Sequence, residues 1–465
     1  MAAVSTELAS FPQGLRDISV QESKVGSRSN SNILCATPNT QGTEDGLDSP
    51  PPSHEFSLPA VDSGKDAWLF LAACFVMEAL IWGFPFAYGV FQEYYSTHPP
   101  FAGSNNIAVI GTCAMGIMYL SAPIVFGILQ RWPKIQPWST PAGVLLMCIA
   151  LAFSSFATTT TQLIVTQGVL YALGGGFAYL PCIMFMDQWF VKKLGLAYGI
   201  MWAGTGLAGI VVPIILQWIL DQYSFRTALR AWSICVFVLT VPLLRFIKPR
   251  VPIAQVHQSR PFDFSFVATS TFGVLQICNI IEALGFFLPS IYLPTYARSL
   301  GASSLMSTLT IILFNVASVF GCVLMGAITD KLHVTTCIAI STIGSTLGVF
   351  VVWGFSMSLG ALYVFCIIYG FFAGSYTSTW PGIMREVKRV KESVDPTMVF
   401  ACLAAGRGIG NVASGPLSET LIKGMPWKDQ ASFAYGSGYG PLIAFTGVTA
   451  LLGGASILGR RVGWV

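Results

Sequence analysis

The sequence has little charge. Asp, Glu, Lys and Arg make up only 10% of its 465 residues, where a soluble domain carries about 25%. A chain this poor in charge cannot clothe a water-facing surface, so a soluble globular protein is excluded. Histidine is scarce, with 4 residues, and none of the 11 cysteines forms a close C-x-x-C pair. A metal site or a disulfide framework therefore lacks its usual basis, and buried cysteine serving as a small apolar residue is the expectation. No loop gathers a nucleophile, a base and an orienting group, so neither an enzyme nor a cofactor is expected. The formal net charge of +4 is modest, and no nucleic-acid partner is expected. There is no Asn-x-Ser/Thr sequon to mark an outside loop.

What the chain does have is length and oil. Hydrophobic types make up 54% of it, in long runs rather than alternating patterns. Runs of about 20 apolar residues suit membrane-crossing helices. Twelve are predicted, near 67–91, 106–129, 139–157, 162–186, 195–217, 228–247, 266–294, 306–328, 334–354, 360–382, 398–422 and 439–459. The fold class expected is thus an all-α membrane protein whose lasting partner is the lipid bilayer. Pro289 and Pro294 predict a kink or break at the end of the seventh span. Residues 1–65, rich in Ser, Pro, Asn, Gln and Gly, read as a disordered tail. They contain no apolar h-region, so insertion is expected to rely on the first membrane helix.

Lysine and arginine orient the spans. Even-numbered loops and the C-terminus hold fifteen of them, and odd-numbered loops hold five. The positive-inside rule then places the even loops and both termini in the cytoplasm. The expected location is the plasma membrane, with a vacuolar membrane as the alternative.

The chain also repeats itself. "EALIWGFPFAY" from Glu78 and "EALGFFLPSIY" from Glu282 share E-A-L, a proline and a tyrosine at the same spacing. "AGTG" from Ala203 matches "AGRG" from Ala405, and "GILQR" from Gly127 matches "GAITDK" from Gly326. The offsets agree to within a few residues and keep one order. They divide the chain into a tail (1–65), a six-helix half (66–247), a cytoplasmic linker (248–265), a second six-helix half (266–460) and a short C-terminus (461–465). A parallel repeat of this kind is the arrangement of the major facilitator fold, with substrate between the halves near the midplane.

The stretch "WFVKKLGLAYGIMWAG" (189–204) resembles the fifth-helix signature of the monocarboxylate porter family of major facilitators. Phe190, Lys192, Lys193, Leu196, Ala197, Gly199, Ala203 and Gly204 fit it, while Leu194 and Met201 depart from it. "GVFQEYY" (89–95) is similar to the end of that family's first helix. "QGVLYALGGGFAYLPC" (167–182) and "RGIGNVASGPLSE" (407–419) resemble its fungal branch. The resemblance implies a twelve-helix secondary transporter of an organic monocarboxylate or a carboxylate-bearing metabolite, working by alternating access with possible proton coupling. Two departures bear on this. Phe86 stands where lactate-type members carry a first-helix lysine, and the eighth span has no charge before Asp330, where they carry an Asp–Arg pair. Fungal relatives of this type imply two alternatives for the cargo, an exported secondary metabolite or an imported vitamin. A third reading, a transporter-like nutrient receptor, rests on the long tail.

Charge inside an apolar span carries the most information, because arginine at the bilayer centre costs about 3 kcal/mol on insertion scales. Arg407 must therefore face the bundle interior. It is expected either to take a substrate carboxylate in a bidentate pair or to lock two helices by pairing with Glu78 or Glu282. Those two glutamates, at repeated positions, are the proton-coupling candidates, with a structural role weighed against each. Tyr88, Tyr292, Asn315 and Asn411 are candidate hydrogen-bonding groups of the cavity, and Phe86 and Trp202 candidate walls. Asp187, Lys192, Lys193, Asp330 and Lys331 are expected to gate the cytoplasmic end through inter-helix ion pairs. "AGTGLAG" (203–209) contains a literal G-x-G-x-x-G, but no strand precedes it, so close helix packing is the reading.

Overall fold

The computed structural model describes residues 58–104, 106–251 and 263–464, the side chain of Ser304 excepted. Residues 1–57 of the expected tail and most of the expected linker lie outside these residues, whereas 58–65, expected as disordered, are described, with the Asp62 N–H donating to the Trp189 carbonyl at 2.9 Å and α1 starting at Lys65. Every regular element among the described residues is helical. In chain order they are α1 (Lys65–Phe86), α2 (Tyr88–Thr97), α3 (Ile107–Leu120), α4 (Ala122–Arg131), α5 (Gln136–Ser154), α6 (Thr160–Leu163), α7 (Tyr171–Trp189), α8 (Leu194–Gln222) and α9 (Phe225–Leu243). Then follow α10 (Ser270–Ser299), α11 (Ser304–Thr329), α12 (Val334–Leu347), α13 (Leu359–Phe372), α14 (Trp380–Val390), α15 (Pro396–Ile422), α16 (Gly440–Gly453) and α17 (Ser456–Arg461).

Ten helical stretches among these residues are long and apolar enough to cross a bilayer. There are eleven if α3 and α4, bent by 42° about Ser121, form one span. The helix expected as the eleventh span, α15, has 27 residues but is not among them. Its glycines, Arg407 and Asn411 dilute its hydropathy.

Proline acts differently in the two repeated stretches. After Pro85 the first span, Lys65–Thr97, is interrupted at Ala87 alone and continues as α2. The break expected at Pro289 and Pro294 does not occur, since α10 runs unbroken from Ser270 to Ser299 through both. A membrane helix tolerates proline when neighbours and hydroxyl groups satisfy the freed backbone. Here α10 packs against α15, α16 and α11, and Ser290 Oγ donates to the Phe287 carbonyl at 2.8 Å.

Helix α8 is the hub of the bundle, packing against both α1 and α11. Small residues make this possible. A Cβ on Gly204 would collide with the Phe75 carbonyl of α1, and one on Gly199 with the Cys322 carbonyl of α11. The G-x-G-x-x-G run is thus the interior of a closely packed helix, as small-residue interfaces in membranes require.

Candidate functional site

Two helix crossings hold the buried charges. Where α1 meets α8, Thr205 Oγ1 donates to Glu78 Oε1 at 2.5 Å. Glu78 is 3% exposed, and its other oxygen, Oε2, has no hydrogen-bond partner among the described residues. The Tyr179 hydroxyl stands beside this carboxylate and interacts with it, while accepting from Trp202 Nε1 at 3.2 Å. Where α10 meets α15, Arg407 donates to Glu282 Oε2 at 2.8 Å. The Arg407 guanidinium is 4.4 Å from the centre of the Phe286 ring and 5.4 Å from that of Phe287. Arg407 is 2% exposed, so its charge is held by a carboxylate and by aromatic faces, as buried arginine requires.

A cavity opens between these crossings. Its lining includes Glu78, Trp82 and Phe86 from α1, Tyr119 from α3, Tyr179 from α7, and Trp202 and Thr205 from α8. Phe286 of α10, Phe314 and Asn315 of α11, Trp380 of α14, and Phe400 and Arg407 of α15 complete most of the wall. The rings form a connected shell. Trp82 lies 4.6 Å from Tyr119, Trp380 lies 5.3 Å from Phe400, and Trp202 stacks on Phe400 with 14° between the planes. Apolar walls with a few convergent polar groups are the usual form of a small-molecule site.

The residues singled out in the sequence divide accordingly. Glu78, Arg407, Phe86, Trp202 and Asn315 line the cavity. Asn315 also ties α11 to α8, its Nδ2 donating to the Gly209 carbonyl at 3.2 Å. Glu282 stands behind Arg407. Tyr88, Tyr292 and Asn411 lie outside the cavity lining. The break at Ala87 places Tyr88 in α2, where it donates to the Ile107 carbonyl at 2.5 Å. Tyr292 donates to Ser418 Oγ at 3.0 Å. Asn411 lies where α15 crosses α3, with Nδ2 4.0 Å from Met115 Sδ. Tyr119, Tyr179, Trp82, Thr205, Trp380 and Phe400 escaped the sequence reading. Thr205 alone had a signal, since "AGTG" aligns it with Arg407.

The lysine- and arginine-rich end of the bundle is tied across by hydrogen bonds. Asp330, at the end of α11, accepts from the backbone N–H groups of Gly195 and Leu196 at 2.7 and 2.8 Å, capping the free N-terminus of α8. A carboxylate there satisfies orphan donors and complements the helix dipole. Arg385 of α14 pairs with the same Asp330 at 3.3 Å and donates to the Thr329 carbonyl. Gln130, at the end of α4, donates to Asp395 at the start of α15 at 2.8 Å. Among the described residues Asp187, Lys192, Lys193 and Lys331 form no ion pair, so of the five residues expected to make inter-helix ion pairs Asp330 makes one, with Arg385. Arg385 thus ties α14 to the end of α11.

The Lys192–Lys193 turn is held by backbone instead. Asp62, just before α1, accepts from the N–H groups of Val191, Lys192 and Lys193 at 2.9 to 3.0 Å. Partial burial works to raise the Asp62 pKa. The N–H donors of Lys192, Lys193 and Val191, with the Lys193 charge, outweigh it and hold the pKa below the usual value.

Residues 69–413 match the family model of the Major Facilitator Superfamily, and the chain belongs to that superfamily. The Agnestins efflux protein AgnL12 of Paecilomyces divaricatus is 29% identical over 89% of this chain and 90% of its own length. The Aspyridones efflux protein apdF of Emericella nidulans is 26% identical over 89% of this chain and 81% of its own length. The MFS-type transporter pynF of Aspergillus niger is 27% identical, covering 78% and 83%. The solved structure of a double tryptophan mutant of XylE shares the fold, with a TM-score of 0.61 at 14% identity over 84% of this chain and 95% of that one. The chain is therefore a multi-pass membrane transporter of small organic molecules and not an enzyme.

Proposed function

We propose that the chain is a secondary transporter that exports an amphipathic organic metabolite by alternating access, with Glu78 carrying a coupled proton. The observation that carries this reading is the state of the cavity. Its one arginine is already engaged by Glu282, while Glu78, among aromatic rings, keeps an oxygen free. A buried carboxylate without a counter-charge can take up and release a proton as its surroundings change. Two of the relatives named above are efflux proteins by their printed names, which supports export over the import of a monocarboxylate. The monocarboxylate reading rests on Arg407, and a substrate anion would have to displace Glu282 from it. The receptor reading rests on a tail whose residues 1–57 lie outside the described residues.

In this proposal α15 also crosses the bilayer, completing twelve spans in two six-helix halves. The basic end faces the cytoplasm, so the Asp330 cap on α8 and the Gln130–Asp395 bond hold the cytoplasmic side closed. The membrane is the plasma membrane. The test is counterflow in proteoliposomes. An outward-directed transporter of this kind should move aromatic metabolites faster when protons can flow the other way, and Glu78→Gln should abolish the response to the gradient. Gradient-driven uptake of simple monocarboxylates, sensitive to Arg407→Ala and indifferent to Glu78→Gln, would reverse the assignment.

A further inference from the structure

We infer that the cavity selects flat aromatic ligands that present a cation or a hydrogen-bond donor to Glu78 and hydrogen-bond acceptors to the indoles of Trp82 and Trp380, and that it disfavours carboxylates. The inference names the substrate class of the site described above and rests on the reading of that cavity as the transport site.

Three unpartnered groups define the ligand. Glu78 Oε2, Trp82 Nε1 and Trp380 Nε1 all belong to cavity-lining residues that are 5% exposed or less, and none has a hydrogen-bond partner among the described residues. Buried polar atoms left without partners are few in native proteins, and each calls for an explanation. Together they leave one acceptor and two donors unsatisfied in the walls of the cavity. A ligand filling it supplies a donor or positive charge at one point and acceptor oxygens or nitrogens at others. Phenols, amines and conjugated ketones have that chemistry.

Charge sets the sign of the selection. Arg407 is the only cation in the lining among the described residues, and its guanidinium is taken by Glu282 at 2.8 Å and covered by Phe286. The lining also carries the carboxyl of Glu78, which accepts from the neutral Thr205 hydroxyl. A carboxylate ligand would therefore meet a second carboxyl group with no cation between the two, or would have to break a buried ion pair to find its cation. A ring-bearing cation meets Glu78 directly and gains contact with the faces of Trp82 and Trp202. The shape of the ligand follows from the walls, because stacked and edge-on rings favour a planar body.

A matched set of probes tests this in purified, full-length protein. 9-(Aminomethyl)anthracene, 9-(hydroxymethyl)anthracene and 9-anthracenecarboxylate share one ring system and carry a cation, a neutral donor and an anion. Binding is read by saturable quenching of tryptophan fluorescence at neutral pH. The expected order is amine, then alcohol, then carboxylate, with at least about tenfold between the first and the last, a factor equivalent to about 1.4 kcal/mol. Glu78→Gln keeps an acceptor for Thr205 and for the alcohol but loses the charge. It should remove the preference for the amine over the alcohol, read as the ratio of the two affinities in the variant against the same ratio in the wild type. Carboxylate binding equal to or tighter than amine binding would overturn the inference, as would an amine preference that survives Glu78→Gln, or no saturable binding of any probe. The assay reads no flux. A chain that binds in the expected order yet transports nothing would sink the export proposal and spare this one. Export of the carboxylate would do the opposite.

Discussion

Glu78 and Glu282 begin the same repeated stretch, and each is met by the helix carrying an A-G-x-G run. The partners stand 127 residues on in one case and 125 in the other. The x is threonine in the first and arginine in the second. That one difference sets the electrostatics of the interior. The α10–α15 crossing is a closed ion pair, and the α1–α8 crossing holds a carboxyl with a neutral partner and a free oxygen. A buried pair contributes little net stability, but removing one member leaves a charge stranded. A lone carboxyl in an apolar cavity is costly for the fold and useful for handling protons and ligands. The comparison assigns structure to the second crossing and work to the first.

The largest expected effect breaks the structural side. Glu282→Ala leaves Arg407 buried without its counter-charge, at a cost of about 3–5 kcal/mol. Detergent-purified protein should unfold at a clearly lower temperature, and the double change Glu282→Ala with Arg407→Leu should recover most of the loss. A single variant as stable as the wild type would deny the pair its structural role.

Glu78→Gln attacks the other crossing and should leave the unfolding temperature nearly unchanged, since glutamine still accepts from Thr205. Flux should fall at least about tenfold, the signature of a group used in turnover. Thr205→Val is intermediate. It removes a hydrogen bond to the carboxyl, of order 1.5–3 kcal/mol when that acceptor is charged, and should lower both stability and flux modestly.

Smaller effects belong to the basic end. Asp330→Ala removes the cap on α8 and the partner of Arg385, shifting the balance toward a form open at that end by about 1–2 kcal/mol. Cys322, buried in the cavity wall, reports this as several-fold faster alkylation by a maleimide applied from that side. Unchanged alkylation would remove Asp330 from the gate.

Asp62→Asn should cost less still, within about 1 kcal/mol for a largely solvated clamp. Its pH dependence has a definite sign. The folded pKa of Asp62 is depressed, so its contribution is full above the ordinary aspartate value near 4 and is lost as pH falls through the folded value. The variant and the wild type should therefore converge in stability at low pH and differ at neutral pH.

Much of this was legible in the chain. Hydropathy exposed Arg407, and the repeat paired Glu78 with Glu282 because both are chemical exceptions in apolar runs. The same alignment set Thr205 opposite Arg407, yet a threonine among glycines reads as packing, and its partnership shows only when α1 and α8 cross. Trp380 and Phe400 were hidden for another reason. Both lie at the ends of apolar runs, 360–382 and 398–406, within which composition does not say which side faces a cavity and which faces lipid. Tyr88 was misplaced because one proline breaks its helix, while the matching proline leaves α10 and Tyr292 in line. The two stretches share E-A-L, the proline and the tyrosine but differ between them, so the repeat alone does not fix the outcome.

The most direct test of the contrast is proton flux driven by an aromatic cation. Proteoliposomes loaded with a pH-sensitive dye would receive (anthracen-9-ylmethyl)trimethylammonium, whose fixed charge keeps it from crossing lipid unaided. Wild type would be compared with Glu78→Gln and with the double variant Glu282→Gln, Arg407→Met. The account predicts a proton signal in the wild type, its loss in Glu78→Gln and its retention in the double variant. Retention in Glu78→Gln together with loss in a folded double variant would contradict it.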